Sequence, residues 1–400
     1  MKRVWHSSAY QFIFVMGLVS LFADMTHEGG RSIFGDYLTL LGASAASIGF
    51  ITGFGEFIGY SLRFLTGMLA DRTKNYWVMT ICGYAVNVLA IPLLALVPEY
   101  GWQLAAVLIV AERAGKAIRQ PAKNTLISFA GTQEGVGKSF AIQEFMDQLG
   151  AVAGPVLLFV VMAAQQEESL FSRYGFCFAI LLAPAVCCIL CVLLARKFFP
   201  HPDRFEPADR ESARFHYHSF FGIYMLAICF FAFGFIDFPL VTMHVAKMEL
   251  LPTNALPLLY AGAMFVDACA ALLFGWLYDC WGMKAILLSV VLSAPFAVFI
   301  FLAESWESLF FGAALWGIGM GAQEATFKSA VSTMIPKRIR ATGFGIFETG
   351  FGVAWFAGSC ILGLLYDQSI PLMIAVSCGA QLLALPFLYY ADRLMKQQHV

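Results

Sequence analysis

The stretch Gly67-Met68-Leu69-Ala70-Asp71-Arg72 has a weaker second copy in the other half of the chain, Gly275-Trp276-Leu277-Tyr278-Asp279. Two more pairs of similar stretches follow in the same order: Phe140-Ala141-Ile142-Gln143-Glu144 with Phe344-Gly345-Ile346-Phe347-Glu348, and Ala153-Gly154-Pro155 with Ala357-Gly358-Ser359. Similar stretches that recur in one order indicate an internal repeat. The chain is therefore predicted to consist of two related halves.

The composition of the chain is that of a membrane protein. Hydrophobic residues make up 60% of it, charged residues only 13%, and the mean hydropathy is +0.74. Soluble globular proteins carry about 25% charged and about 45–50% apolar residues. The net charge of -1 excludes a global basic field, so nucleic acid is not an expected partner. We therefore expect the lipid bilayer to be the solvent of this chain.

The length of the apolar segments predicts the number of membrane spans. A helix needs roughly 20 mainly apolar residues to cross a hydrocarbon core of about 30 Å. This predicts about twelve spans, near 9–37, 46–70, 76–97, 101–129, 137–164, 172–197, 219–245, 255–279, 283–303, 307–334, 341–366 and 370–392. The charged stretch 199–218 is predicted to be a cytoplasmic linker between six-helix bundles at 1–198 and 219–400. The predicted fold class is an all-α membrane protein with two pseudo-symmetric bundles.

Lysine and arginine are concentrated in the loops that share one side with both termini, as at Arg72, Lys138 and Lys284. The loops on the opposite side hold only Arg173 and Lys247. Cytoplasmic loops of membrane proteins carry the excess of positive residues. Both termini are therefore expected in the cytoplasm, as an even number of spans requires.

The motif G-x-L-x-D-R between the second and third spans resembles the signature of the major facilitator superfamily, and the copy at Gly275 is its typical weaker repeat. In the fourth span, the sequence from Glu112 to Ala122 resembles the E-R-x-G-K-x-x-R-x-P-A pattern of bacterial members, including proton-coupled drug and metabolite transporters. The resemblance implies a monomeric secondary transporter of the plasma (bacterial inner) membrane that works by alternating access.

The signature implies a gating contact on the cytoplasmic side, formed by the motif residues Gly67, Asp71, Arg72, Gly275 and Asp279. Gly67 is expected to let the second span pack closely on the eleventh span. Asp71 is expected to accept hydrogen bonds from the free N–H groups at the start of the eleventh span, near residue 341, where the helix dipole is positive. In the fifth span, a G-x-x-x-G-P element typical of proton antiporters suggests helix-packing residues, namely Gly150, Gly154 and Pro155.

Charged residues within the predicted spans are the candidate functional residues. An ionised side chain at mid-bilayer costs at least about 2.5–3.5 kcal/mol, so it must be paired or face a wet cavity. Asp24, His27, Glu28 and Arg31 are spaced three or four residues apart and share one face of the first span. Asp237 lies in the corresponding part of the seventh span.

The resemblance implies that spans one, four, seven and ten line a central cavity. We predict that the following residues line it: His27, Arg31, Glu56, Arg113, Lys116, Arg119, Gln323 and Glu324. The alternative is that the charges of the fourth and fifth spans form buried ion pairs that fix the register of the helices, for example Arg119 with Asp147. The sequence leaves both interpretations open.

Proton coupling is assigned to the carboxylates Asp24, Glu28 and Asp237, with Asp24 or Glu28 as the main carrier. A partly desolvated carboxylate can take up and release a proton as the cavity alternates between the two sides. The many cavity cations favour an anionic or zwitterionic small organic solute as substrate. No P-loop is present, so a gradient rather than ATP is the expected energy source.

Three other functions are a membrane enzyme, a drug antiporter and a membrane sensor. A membrane enzyme would need a nucleophile or metal-ligand constellation such as H-E-x-x-H, which the sequence lacks, so no catalytic residue, metal or cofactor is expected. A proton/drug antiporter that exports lipophilic compounds remains an alternative. A non-transporting membrane sensor on the same scaffold is another.

Overall fold

The computed structural model describes residues 8–134, 136–165, 169–200, 219–334 and 340–398, and all regular elements in these ranges are helices. The described part of the first half contains eight α-helices. They are α1 (Ser8–Arg31), α2 (Phe34–Leu40), α3 (Ala45–Thr73), α4 (Tyr76–Leu93), α5 (Trp102–Glu134), α6 (Val136–Ala164), α7 (Leu170–Ile180) and α8 (Leu182–Phe198). Spans one and six each comprise two helices, α1 with α2 and α7 with α8.

The second half repeats this organisation. Its helices are α9 (Ser219–Gly234), α10 (Phe238–Lys247), α11 (Leu256–Trp281), α12 (Met283–Ser293), α13 (Phe296–Phe301), α14 (Trp306–Ala322), α15 (Lys328–Met334), α16 (Arg340–Gln368) and α17 (Ile370–Gln398). A π-helical turn, Gln323–Phe327, joins α14 to α15. The predicted fold class, an all-α membrane protein with about twelve spans, is confirmed.

Within the described ranges, nine segments are long and apolar enough to cross a membrane by composition alone. The three predicted spans that fail this criterion are the second, fourth and tenth. Helix α5, the fourth span, carries Glu112, Arg113, Lys116, Arg119 and Lys123. The tenth span is interrupted by the π-helical turn. In α5, the charged residues that mark the helix as a candidate functional element therefore also exclude it by this criterion.

The described residues fall into two compact units, Met1–Gly42 with Leu62–Arg210, and Ala43–Ser61 with Glu211–Val400. This differs from the predicted bundles in one segment, since residues 43–61 of the second span pack in the second unit. Glycine permits this close packing of α3 on α16. A Cβ atom at Gly53 would lie only 2.6 Å from Cβ of Ser359 on α16, so a larger side chain would not fit. The backbone N–H of Ala46 also donates to Oδ2 of Asp367 at 3.1 Å. Most of the predicted linker, 201–218, lies outside the described residues.

The first and seventh spans are each interrupted, at 32–33 and at 235–237. A helix break inside a membrane exposes backbone groups that protein side chains must satisfy. In the second unit, Trp316 Nε1 donates to the carbonyl of Ile236 at 2.8 Å, and Ser377 Oγ donates to the carbonyl of Gly234 at 2.6 Å. Gln381 Nε2 donates to the same Gly234 carbonyl at 3.2 Å. The break is thus held by side chains of α14 and α17.

Glycines bring the helices of the first unit into backbone contact. A Cβ atom at Gly150 or Gly154 of α6 would collide with the carbonyl oxygens of Leu21 and Met25 on α1. A Cβ atom at Gly83 of α4 would lie 2.7 Å from the backbone N of Arg119 on α5. Helices that approach this closely bring the polar side chains beside the glycines within hydrogen-bonding distance of one another.

Candidate functional site

Glu112 of α5 is the centre of a buried polar cluster in the first unit, and its side chain is fully buried. Asn87 of α4 donates to it through Nδ2. His27 Nδ1 of α1 lies 3.1 Å from Glu112 Oε1, and Arg113 Nε lies 3.5 Å from Glu112 Oε2. Three helices therefore supply partners to one carboxylate, which satisfies the requirement that buried charges be paired.

The cluster continues along α1 through Glu28. His27 Nε2 lies 3.6 Å from Glu28 Oε1, and Arg31 Nη1 lies 3.8 Å from Glu28 Oε2. The helical spacing predicted for these residues thus brings His27, Glu28 and Arg31 together. Glu28 lies between two basic side chains, so its carboxylate is well compensated.

A second cluster surrounds Arg119 of α5. Its Nε donates to Oδ1 of Asn87 at 3.0 Å, and its Nη1 donates to the hydroxyl of Tyr84 at 3.1 Å. The guanidinium carbon lies 4.3 Å from the centre of the Tyr84 ring, a cation–π contact. Asp24 Oδ1 of α1 lies 4.0 Å from Arg119 Nη2.

Lys123 extends this cluster by one further helical turn. Its Nζ donates to Ser20 Oγ at 2.5 Å and lies 3.7 Å from Asp147 Oδ2 of α6. Ser20 Oγ in turn donates to Gln143 Oε1 at 3.1 Å, and Gln143 Nε2 donates to the carbonyl of Ile13 at 2.8 Å. These contacts tie α1, α5 and α6 together. They agree with the structural ion-pair interpretation for Lys123 and Asp147.

Asn87 joins the two clusters, since its amide donates to Glu112 and its carbonyl oxygen accepts from Arg119. The sequence prediction did not include Asn87 or Tyr84. A signal was present, because these two polar residues are three positions apart, on one face of an otherwise apolar helix. Their partners depend on how α4 packs on α5, which the sequence of α4 does not specify.

Lys116 and Asp24 are two of the incompletely paired groups in this region. Lys116 lies on α5 between Glu112 and Arg119, is half-buried, and makes no hydrogen bond or ion pair within 4.0 Å to any residue that the structure describes. Asp24 Oδ1 is buried without a hydrogen bond to the described residues, and the Asp24 side chain is 16% exposed. The half-buried Lys116 is therefore accessible to a solute or to water, whereas Asp24 Oδ1 is shielded from both in this structure.

The cations of the two clusters outnumber the carboxylates when His27 is neutral. The cations are Arg31, Arg113, Lys116, Arg119 and Lys123, and the carboxylates are Asp24, Glu28, Glu112 and Asp147. Glu28, Arg31 and Arg113 have further interactions beyond these contacts. Five cationic side chains in a membrane-embedded region need counter-charges, which the protein and a bound solute can both supply.

The remaining predicted cavity and proton residues belong to the second unit. Asp237 caps α10, where its Oδ1 accepts from the backbone N–H of Phe238 at 3.0 Å. Gln323 and Glu324 lie in the π-helical turn, and Gln323 is buried. Glu56 is buried in the part of α3 that packs with the second unit. A π-helical turn is a frequent feature of functional sites.

The gating motif is partly described. A Cβ atom at Gly67 would lie 3.6 Å from Pro121 of α5, so Gly67 packs on the fourth span. The expected close packing of Gly67 on the eleventh span stays a prediction, and within the second unit Gly49 and Gly53 of the second span lie against Ser359 of the eleventh. Arg72 and Asp279 are exposed, and Gly275 faces Ala325. The Asp71 side chain and its expected partner near residue 341 lie outside the described side chains.

Comparison with known proteins finds a family profile and relatives that match this chain. The sequence profile of the Major Facilitator Superfamily matches residues 251–398. Uncharacterized proteins of Mycobacterium tuberculosis and Mycobacterium bovis are 33% identical over 395 residues, covering 96% of this chain and 93% of theirs. An uncharacterized MFS-type transporter of Methanocaldococcus jannaschii is 26% identical over 368 residues, 89% of each chain.

Solved structures of similar fold are also transporters. The nucleoside transporter NupG superposes with a TM-score of 0.71 at 14% identity, over 96% of this chain and 99% of NupG. A bacterial homolog of the human lysosomal transporter Spinster, inward-facing and unoccupied, gives a TM-score of 0.69 at 14% identity over 96% of both chains. At this level of identity the likeness establishes the fold and leaves the substrate open.

Proposed function

We propose that the chain is a secondary transporter of the major facilitator superfamily that carries a small anionic or zwitterionic organic solute in a proton-coupled cycle, a proposal that the family match, the archaeal relative and the fold support. It is an integral membrane protein and not an enzyme. The cycle is alternating access, in which a site near the bilayer midplane opens to each side in turn.

Lys116 is the observation that carries the choice of substrate. Its ammonium group makes no hydrogen bond and no ion pair within 4.0 Å with the described residues. Asp24 and Glu112 attract it from a greater distance, and both carboxylates are shared with other basic side chains. A charge held in a membrane without a close partner is costly. A carboxylate or phosphate of the solute would give Lys116 such a partner.

A ligand screen with a matched pair of variants tests this proposal. Ligands that bind the folded protein raise its melting temperature by mass action. We expect anionic or zwitterionic compounds to raise the melting temperature of the purified protein, and Lys116→Gln to abolish this shift while Lys116→Arg retains it. Stabilisation by neutral or cationic compounds alone, equal in wild type and Lys116→Gln, would contradict the proposal.

Asp24 is the proposed proton carrier. Burial favours the neutral form of a carboxyl group, and a nearby cation favours the ionised form. Asp24 lies at the limit of ion-pair distance from Arg119 and has an oxygen without a hydrogen bond, whereas Glu28 lies between His27 and Arg31. A small movement of Arg119 would therefore change the protonation of Asp24 more than that of Glu28. Asp237 remains a further candidate in the second unit.

Export by proton antiport is the second candidate. It is supported by the close packing of Gly150 and Gly154 against α1, the helix that carries Asp24. In that case the solute and the proton would use the same site at different times. The direction of the pH change during transport distinguishes antiport from symport, and a non-transporting sensor would show no solute flux under any gradient.

We also propose a bacterial inner-membrane location with both termini in the cytoplasm, on the asymmetry of Lys and Arg among the loops. We propose that the protein works as a monomer, as the resemblance to the superfamily implies.

A further inference from the structure

An apolar groove of about 500 Å³ lies in the second unit, between α9, α16 and α17. Leu226 and Phe230 of α9 form one wall, Ala354 of α16 lies opposite, and Gly379 and Leu383 belong to the α17 side. The rim is open, since Leu226 is 45% exposed and Leu383 is 53% exposed. An apolar rim of this kind on membrane-spanning helices is suited to contact with hydrocarbon.

The chemistry of the groove selects a hydrocarbon occupant. None of the lining side chains carries a nitrogen or oxygen atom. The single thiol, Cys229, is engaged with the carbonyl oxygen of Gly350 at 3.7 Å. Binding sites for polar small molecules carry a few convergent polar groups that orient the ligand. The absence of such groups among the lining residues argues against an amphiphilic solute held by its polar part.

The dimensions of the groove suit an acyl chain. Its lining on α17 extends from Ala375 to Leu383, which is about 12 Å at the helical rise of 1.5 Å per residue. The hydrocarbon part of one leaflet is about 15 Å deep, half of a bilayer core. The groove therefore matches most of the length of one lipid chain.

We propose that this groove is a binding site for one acyl chain of a membrane phospholipid. The chain would lie against α17, with its methylene groups buried between Phe230 and Leu383. The driving force is dispersion and close packing, because the groove offers a lipid chain more contacts than a smooth helix surface does. This site is separate from the charged clusters and does not depend on the proposed transport chemistry.

Gly379 provides a way to close the groove. No atom lies within 4 Å of a Cβ atom built at Gly379, so a larger side chain fits there by occupying the groove. Gly262 of α11 is a matched control, because it also has no atom within 4 Å of its Cβ position and lies outside the groove.

Photo-crosslinking in vesicles tests the proposal. The full chain is reconstituted in phosphatidylcholine vesicles that contain a phosphatidylcholine with a diazirine on its acyl chain, and adducts are mapped by peptide mass spectrometry. We expect adducts concentrated on the groove residues of α9 and α17. Gly379→Phe should lower them by about tenfold, because the ring fills the space in which methylene groups would be buried, and Gly262→Phe should leave them unchanged.

Three results would overturn the proposal. Adducts spread evenly over all lipid-facing helices would indicate bulk lipid only. Adducts that survive Gly379→Phe would exclude the groove as their site. Loss of adducts on addition of a transported solute would identify the solute as the occupant. If Gly379→Phe does not give the wild-type melting temperature, the smaller Gly379→Leu replaces it under the same criteria.

Discussion

Asn87 is the residue on which the two charged clusters depend. Its amide group bridges the buried carboxylate of Glu112 and the guanidinium of Arg119, so both charges lose a partner when it is removed. A buried polar group left without its hydrogen bond costs about 1–3 kcal/mol, and more when the group is charged. A neutral residue thus determines how the charged residues are held.

We expect Asn87→Ala to lower the free energy of unfolding by at least about 1–3 kcal/mol. Thermal unfolding of the detergent-purified protein measures this effect. Asn75→Ala is the control, because Asn75 precedes α4 and its exposed side chain makes no capping hydrogen bond. Equal melting temperatures for Asn87→Ala and Asn75→Ala would show that the bridge does not stabilise the fold.

At the residue scale, the sequence was informative about charged residues and uninformative about their partners. The spacing of His27, Glu28 and Arg31 on one helix predicted that they would meet, because residues three or four apart share a helical face. The pairing of Glu112 with Asn87 and His27 depends on contacts among three helices. Local spacing cannot supply such contacts.

At the scale of elements, small residues determine which helices pack closely. Gly49 and Gly53 let the N-terminal part of α3 pack closely against α16. For this reason residues 43–61 belong to the second unit. The sequence predicted the span itself from its hydropathy. It could not predict the partner of the span, because a glycine permits close approach without specifying what approaches.

Two glycines on α3 give a direct test of this packing. Gly53→Leu should destabilise the protein by about 1–3 kcal/mol, because the new side chain would overpack the contact with Ser359. Gly59→Leu on the same helix is the matched control, since no atom lies within 4 Å of a Cβ atom at Gly59. Melting temperatures of both variants in detergent provide the measurement. A larger loss for Gly59→Leu would refute the proposed role of Gly53.

The helix breaks illustrate the same limit on prediction. The sequence predicted continuous first and seventh spans, yet both are interrupted. The break at 235–237 is stable because Trp316, Ser377 and Gln381 satisfy the freed carbonyl groups. These side chains are distant in sequence. Hydropathy therefore helped to locate the spans. It could not show at which residues a backbone carbonyl accepts a hydrogen bond from a side chain instead of from the helix.

At the scale of the whole molecule, the fold followed from the repeat and from composition, and two solved transporter structures share it over 96% of the chain. The charged clusters are concentrated in the first unit, whereas the second unit contributes a π-helical turn, a capped helix break and an apolar groove. This unequal distribution of charge is consistent with proton and anion handling in the first unit.

Proton-coupled flux in liposomes tests the central claim most directly. Purified protein is reconstituted with a pH-sensitive dye inside the vesicles, and a solute from the ligand screen is added under an imposed pH gradient. We predict solute flux accompanied by proton movement in the wild type and in Glu28→Gln. The Asp24→Asn variant should still bind the solute. Its proton-coupled flux should be at least about tenfold lower than that of the wild type, because the asparagine side chain cannot release a proton. Unchanged coupling in Asp24→Asn, or no solute flux in the wild type under any gradient, would contradict the account.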